Sequence, residues 1–214
     1  MRESKNKAVF ISTLILVIVY MTGIIGMQTS HKEWFLAMTP LNLLLSTGLL
    51  LFHQSEYNKT FISFLIITFI TGFFIEVAGV NTGIIFGSYH YGDTLGPKLF
   101  ETPMIIGLNW MMLVYAAGVI SNKLKTNKFI RSAVGAALLL ILDLVLEPVA
   151  VKYDFWSWEQ GIIPFRNYVA WYLVSYLLLL IFHSITFNKE NKLAQPLYII
   201  QLVFFVLLCN CNFV

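Results

Sequence analysis

Long apolar runs separated by short polar breaks dominate the chain, without the weak alternating pattern of a closed barrel, and such continuous runs mean helices. Seven runs approach the roughly 20 apolar residues that a spanning helix needs. They are Ala8 to Met27, Trp34 to His53, Thr60 to Ala78, Met104 to Ser121, Phe129 to Val151, Tyr168 to Phe187 and Pro196 to Phe213. The pattern predicts an all-α, polytopic transmembrane helical bundle of about seven spans. The first run follows the basic start Arg2, Lys5, Lys7 as a signal peptide would. It is long, and no small-x-small cleavage site follows it, so it reads as a true span.

Two breaks are themselves odd. The first, from Glu76 to Pro103, contains EVAGVNTGIIFGSYHYGDTLGPKL, with Gly79, Gly83, Gly87, Gly92 and Gly96 and no charge between Glu76 and Asp93. It is too apolar for a solvated loop. Its glycine spacing, with Phe86, Tyr89 and Tyr91 between, predicts a folded, partly re-entrant segment serving as lid or wall. No strand precedes these glycines and no Gly-Lys-Ser/Thr ending closes them, so nucleotide binding is not supported. The second break runs from Lys152 to Asn167. Both follow odd-numbered spans and so belong to one membrane face.

Composition makes a bilayer the solvent: 58% of the 214 residues are hydrophobic, 12% are charged, and the mean hydropathy is +0.76. No internal repeat, low-complexity tract or soluble domain stands out, and residues 1–214 read as a single integral-membrane domain. A net charge of +3 implies neither a nucleic-acid partner nor a funnel for acidic substrates. Its distribution is more informative. One side collects Arg2, Lys5, Lys7, Lys59, Lys123, Lys125, Lys128, Arg131, Lys189 and Lys192; the other has Lys32, Lys98, Lys152 and Arg166. The positive-inside rule then places the N-terminus in the cytoplasm, the C-terminus outside, and both odd segments toward the outer face of a cytoplasmic (inner) membrane. Cys209 and Cys211, two apart at the end of the last span, diverge on a helix and do not suit a mutual disulfide.

Three carboxylates share the outer level. Asp143 and Glu147 are four apart, hence on one helix face, with Pro148 expected to bend or loosen the helix just after; Glu76 lies at similar depth. Each ionisable group within a span costs about 2.5 to 3.5 kcal/mol on insertion scales and faces a bundle interior or wet cavity. A structural reading pairs them with Lys98, Arg166, Asn109 or Asn167; their convergence favours a site. Tyr153, Trp156, Trp158 and Trp171 fit equally well an interfacial aromatic belt. His31, His53, His90 and His183 are scattered without metal-ligand spacing, and only His90 is near enough to join the site, where a structural role is the simpler one. Thr82 and Ser88 read as packing or capping groups. No serine or cysteine nucleophile stands in an activating sequence.

Carboxyl groups in apolar surroundings can keep a proton near neutral pH and act as general acids. Beside aromatic rings such an acid suits protonation of an alkene, because electron-rich faces of Trp and Tyr stabilise the carbocation. Nothing here points to redox chemistry.

The chain resembles the CruF-type integral-membrane carotenoid biosynthesis proteins, which include hydratases of acyclic carotenoid ends. The resemblance covers most of the chain. It is carried by Glu76 to Lys98, by Pro103 with Asn109 and Trp110, by Asp143 through Pro148 with Trp156 and Trp158, and by Pro164 with Asn167 and Trp171. It implies addition of water to the terminal double bond of a ψ end, as in lycopene or γ-carotene, without cofactor or metal. Glu76, Asp143 and Glu147 are the candidate catalytic groups. Tyr89, His90, Tyr91, Asp93, Asn109, Trp110, Trp156, Trp158, Asn167 and Trp171 are candidates to bind substrate. The expected partners are a carotenoid, water, membrane lipid and other carotenoid-pathway enzymes.

Rival readings remain at this stage. A proton-initiated end-group cyclase would form the same cation in a dry pocket. A prenyltransferase would need clustered aspartates for magnesium, and Asp143 with Glu147 is one short pair. A proton-coupled transporter would use intramembrane carboxylates too, usually with inverted repeats and a mid-membrane site, neither of which is visible. A structural partner of a carotenoid enzyme complex is the remaining possibility.

Overall fold

The computed structural model describes residues 2–210, with the backbone alone at residues 2–5 and 160. The chain order is α1 (Arg2–Gly26), α2 (Lys32–Ala37), α3 (Thr39–Phe52), α4 (Lys59–Thr82), β1 (Tyr89–Tyr91), β2 (Lys98–Leu99), β3 (Thr102–Pro103), α5 (Ile105–Ser121), α6 (Lys128–Lys152), β4 (Trp156–Trp158), a 3-10 turn (Glu159–Gly161), α7 (Phe165–Ser184) and α8 (Ala194–Asn210). Among the described residues five stretches are long and apolar enough to cross a membrane, one of them α2 and α3 taken together; α5 and α8 are shorter apolar helices. Each of the seven apolar runs therefore lies largely on helix, the sixth ending three residues past α7; the last residues of the seventh fall outside the described residues, as does Cys211. Cys209 is a free, exposed thiol.

The second run differs from a single helix. It breaks at Met38, and α3 restarts with Pro40 in its first turn, where the missing N–H of proline costs nothing. Proline inside α6 acts otherwise: the helix continues through Pro148 to Lys152, although Pro148 can offer no N–H to the Leu144 carbonyl.

Helix α5 is the axis of the bundle, packing against α3, α4, α6, α7 and α8. Its unbroken buried run from Trp110 to Val119 suits a helix that is apolar all round. The peripheral helices invert the soluble pattern and expose Phe10, Ile18, Phe52, Phe74 and Phe165, as lipid contact requires. Among the described residues, buried polar contacts at one end join Gln54 to Asn188 and Asn191 to Leu50, while Lys192 reaches Asn6 there. The two long segments after α4 and α6 meet at the opposite end, where β1 pairs antiparallel with β4.

Two glycines set the geometry around Glu76. Gly83 ends α4 in the left-handed region (φ 64°), turning the chain back toward β1. Gly72 lies against Trp110: a Cβ there would sit 2.3 Å from the Trp110 Cβ, so only glycine lets α4 and α5 approach this closely. The glycine-rich segment thus becomes a strand-bearing wall. A second hairpin, β2–β3, turns through Phe100 and Glu101, both at positive φ.

Candidate active site

Alternation along two short strands builds the wall of the site. In β1 the sequence Tyr-His-Tyr buries Tyr89 and Tyr91 and exposes His90; in β4 the sequence Trp-Ser-Trp buries Trp156 and Trp158. The register pairs Tyr89 with Trp158 and Tyr91 with Trp156, so four aromatic rings share one face. That face covers the carboxyl groups of α4 and α6.

Glu76 Oε2 accepts hydrogen bonds from the Tyr89 hydroxyl at 2.5 Å and the Tyr91 hydroxyl at 2.8 Å, and Oε1 accepts from Trp110 Nε1 at 2.9 Å. Glu147 Oε2 accepts from Trp156 Nε1 at 3.1 Å and Trp158 Nε1 at 2.9 Å; Oε1 accepts from Asn167 Nδ2 at 2.9 Å. Each carboxyl group is therefore held by three neutral donors from other elements. Among the described residues neither Lys nor Arg forms an ion pair with Glu76, Asp143 or Glu147. Lys98, one structural partner considered above, binds Asp93 at 3.0 Å and the Tyr91 carbonyl at 2.8 Å, and Arg166 is exposed. Burial, and then the Glu76 carboxyl group, push the hydroxyls of Tyr89 and Tyr91 well above the ordinary phenol range, so both keep their protons.

The two glutamates differ in the nature of their donors. Indole N–H and amide NH₂ groups only donate, so the partners of Glu147 suit an anion. Tyrosine hydroxyls can donate or accept, so the Tyr89 and Tyr91 side of Glu76 can also receive a proton from Oε2. Asp143 stands behind this arrangement. Its Oδ2 accepts from Asn167 Nδ2 at 3.3 Å, and its buried Oδ1 has no partner among the described residues.

Between Glu76 and Glu147 lies a cavity of about 20 Å³, also lined by Tyr89, Tyr91, Asn109, Trp110, Trp156, Trp158, Asn167 and Trp171. A water needs roughly 10–15 Å³ on this measure, so there is room for one. Trp110 and Trp171, which both line the cavity, stack at 4.3 Å. Ile106, Asn109 and Trp156 also line a second, larger cavity of about 370 Å³. That cavity lies among α1, α2, α3, α5, α6 and α8, and its walls are almost wholly apolar, with Phe35, Leu113, Leu142 and Phe204 among them.

The structure therefore brings together Glu76, Glu147, Tyr89, Tyr91, Asn109, Trp110, Trp156, Trp158, Asn167 and Trp171, with Asp143 one hydrogen bond removed. Two expected members lie elsewhere. His90 is on the outward face of β1, and Asp93 is fully exposed in its ion pair with Lys98. Strand alternation explains the first, since neighbours of inward residues point outward. Phe86 and Ile106 also line the small cavity and were not anticipated. Thr82 and Ser88 cap and pack the turn: Thr82 Oγ1 donates to the Ala78 carbonyl and accepts from the Ile84 N–H, while Ser88 lies against Gly83. Among the described residues no group of three His, Cys, Asp or Glu side chains could hold a metal ion.

Comparison with known proteins bears on the same residues. Bisanhydrobacterioruberin hydratase of Haloarcula japonica is 32% identical over 146 residues, which is 63% of this chain and half of that protein's length. No solved structure matches the chain significantly. The sequence model of a family described as carotenoid biosynthesis protein matches residues 38–214, which takes in every residue of both cavities except those on α1, α2 and the turn between them. The chain belongs to this carotenoid biosynthesis protein family.

Proposed function

We propose that this protein is a cofactor-independent hydratase that adds water to the terminal double bond of an acyclic carotenoid end such as that of lycopene or γ-carotene. The observation that carries the reading is the pair of carboxyl groups that have no cationic partner among the described residues, facing a cavity of single-water size that adjoins a large apolar one. The relative from Haloarcula japonica, itself named a hydratase, supports the same reaction class.

In this reading the polyene lies in the larger cavity and its end passes Asn109 and Trp156. Glu76 gives its proton to the less substituted alkene carbon: a C–H bond forms, the π bond breaks, and a tertiary cation results. The electron-rich indole rings that line the small cavity, Trp110, Trp156, Trp158 and Trp171, stabilise that charge. Water held at Glu147 and Asn167 forms the new C–O bond, and Glu147 takes the proton released. The sum is alkene plus water to tertiary alcohol, and the proton returns from Glu147 to Glu76 before the next turnover. Asp143, behind Asn167, orients the amide that holds the water.

The charge distribution supports a cytoplasmic membrane, an N-terminus in the cytoplasm and a site toward the outer face, within one integral-membrane domain. With Cys209 and Cys211 replaced, single cysteines at Asp93 and Lys125 should label from opposite sides, Asp93 from outside; the reverse would overturn the orientation. The function itself is tested by expressing the chain in a host that accumulates lycopene or γ-carotene. A product heavier by one water is expected. An isomer of unchanged mass would replace hydration by cyclisation, and no product from abundant, folded protein would sink both.

A further inference from the structure

The larger cavity is shallow. Its deepest lining residues on three helices, Ile18, Leu113 and Leu142, stand eight residues from the Gly26 end of α1, eight from the Ile105 end of α5 and ten from the Lys152 end of α6. At the rise of an α-helix these are depths of about 12–15 Å from the end of the bundle that carries the strands. A polyene of lycopene's length is about as long as the 30 Å hydrocarbon core. The cavity therefore takes in no more than about half of such a chain.

Where the remainder can go follows from which walls are closed. The lining residues on α5, α6 and α8 are buried or half-buried, as are Leu95, Phe155 and Trp156. The exposed ones, Ile18, Thr22, Trp34 and Leu41, all stand on α1, α2 and α3, and none is charged. Helix α1 packs chiefly against α8 and α3 against α5, so these two neighbours spend little of their surface on each other. The gap between them opens the cavity sideways, toward the apolar part of the bilayer. On its other side the cavity shares Ile106, Asn109 and Trp156 with the small one. Gap, large cavity and carboxyl groups thus lie in one series.

We propose that the gap between α1 and α3 is a lateral portal through which a polyene enters from the bilayer, and that only the half bearing the reacting end is enclosed while the far half stays in the portal and the lipid. This rests on the reading of the cavity as the seat of the polyene. A substrate dissolved in lipid then never crosses water. The far end of the chain meets no protein surface that could select it, so specificity resides in the half that reaches Asn109 and Trp156.

The test measures binding apart from turnover, through the visible circular dichroism that an achiral polyene acquires when held by a protein, with the full chain in phospholipid vesicles. Ile18→Trp and Leu41→Trp add bulk at the portal; Ile66→Trp and Leu177→Trp add it at exposed positions on α4 and α7, away from the cavity. The first pair should weaken lycopene binding roughly tenfold, the effect of forcing a large ring into occupied space, and the second should leave it unchanged. Melting temperatures should hold in all four, since each position is exposed. A polyene with one acyclic end and a pyrene at the other should bind within about threefold of lycopene, because the pyrene remains in lipid. Silent substitutions at both portal positions, as expected if a lipid acyl chain merely fills the gap, would overturn the portal. Equal losses in all four variants or rejection of the pyrene-ended chain would do the same, and hydration would stand in each case if product still forms. Portal-dependent binding without any product would instead sustain the portal and remove hydration. No polyene signal at all from folded protein would overturn both.

Discussion

Two polar clusters lie at opposite ends of this bundle, and the contrast between them separates support from chemistry. At the end away from the strands, Gln54 accepts from Tyr115 at 2.5 Å and donates to the carbonyls of Glu56 and Asn188. Asn191 donates to the Leu50 carbonyl and Tyr115 hydroxyl, while its Oδ1 accepts from the Leu193 N–H. Neutral amides close on backbone groups there, and the polar capacity is used up. At the other end, carboxyl groups are bonded only by side chains from α5, α7, β1 and β4, around a space left open. The first cluster ties helix ends to loops. The second holds ionisable groups in an unusual place, which the fold must be constrained to do.

Five substitutions would break or sharpen this contrast. The largest effect is expected at the carboxyl groups: Glu76→Gln and Glu147→Gln should each lower hydration about 10²- to 10⁴-fold, the range for loss of a general acid or base, with protein abundance unchanged. Product yield per folded protein in a lycopene-accumulating host measures it, and full activity in either variant would refute the assigned roles. Next, Trp158→Phe removes one of two indole donors to Glu147 while keeping a ring, and should cost about 10- to 100-fold, as bonds to charged groups do. A silent change would mean that Glu147 is not held as an anion during the reaction.

Gln54→Leu belongs to the supporting cluster. By orphaning Tyr115 and two carbonyls it should cost about 1–3 kcal/mol of stability per unsatisfied group, read as a lower melting temperature. Activity per folded molecule should persist; its selective loss would erase the distinction between the two ends. The smallest effect is expected at His90→Ala, which should change neither rate nor stability by more than about 0.5 kcal/mol, as for exposed positions. A large loss of activity would return His90 to the site.

Much of this was legible in the residues. Seven apolar runs matched the helical bundle, although the second was read as one helix and breaks at Met38, and the i, i+4 spacing of Asp143 and Glu147 placed them on one face. The pairing of β1 with β4 was written only faintly, as two aromatic-polar-aromatic triplets, Tyr-His-Tyr and Trp-Ser-Trp, some 65 positions apart. Period-2 alternation over three residues is too short to announce a strand. That is why His90 and Asp93 were grouped with Tyr89 and Tyr91, although the pleat turns His90 outward and Asp93 lies beyond the strand.

By itself the sequence determined the solvent, the helices, the segregation of charge and the level at which the carboxyl groups lie, because hydropathy and helical period are local properties of a chain in a bilayer. Tertiary structure alone decided which donors meet each glutamate, that Asp143 stands behind Asn167, and that a large apolar cavity adjoins the small one. Those facts depend on contacts between residues as distant as Tyr20 and Gln201, and burial in lipid makes a wall residue and a packing residue look alike in sequence.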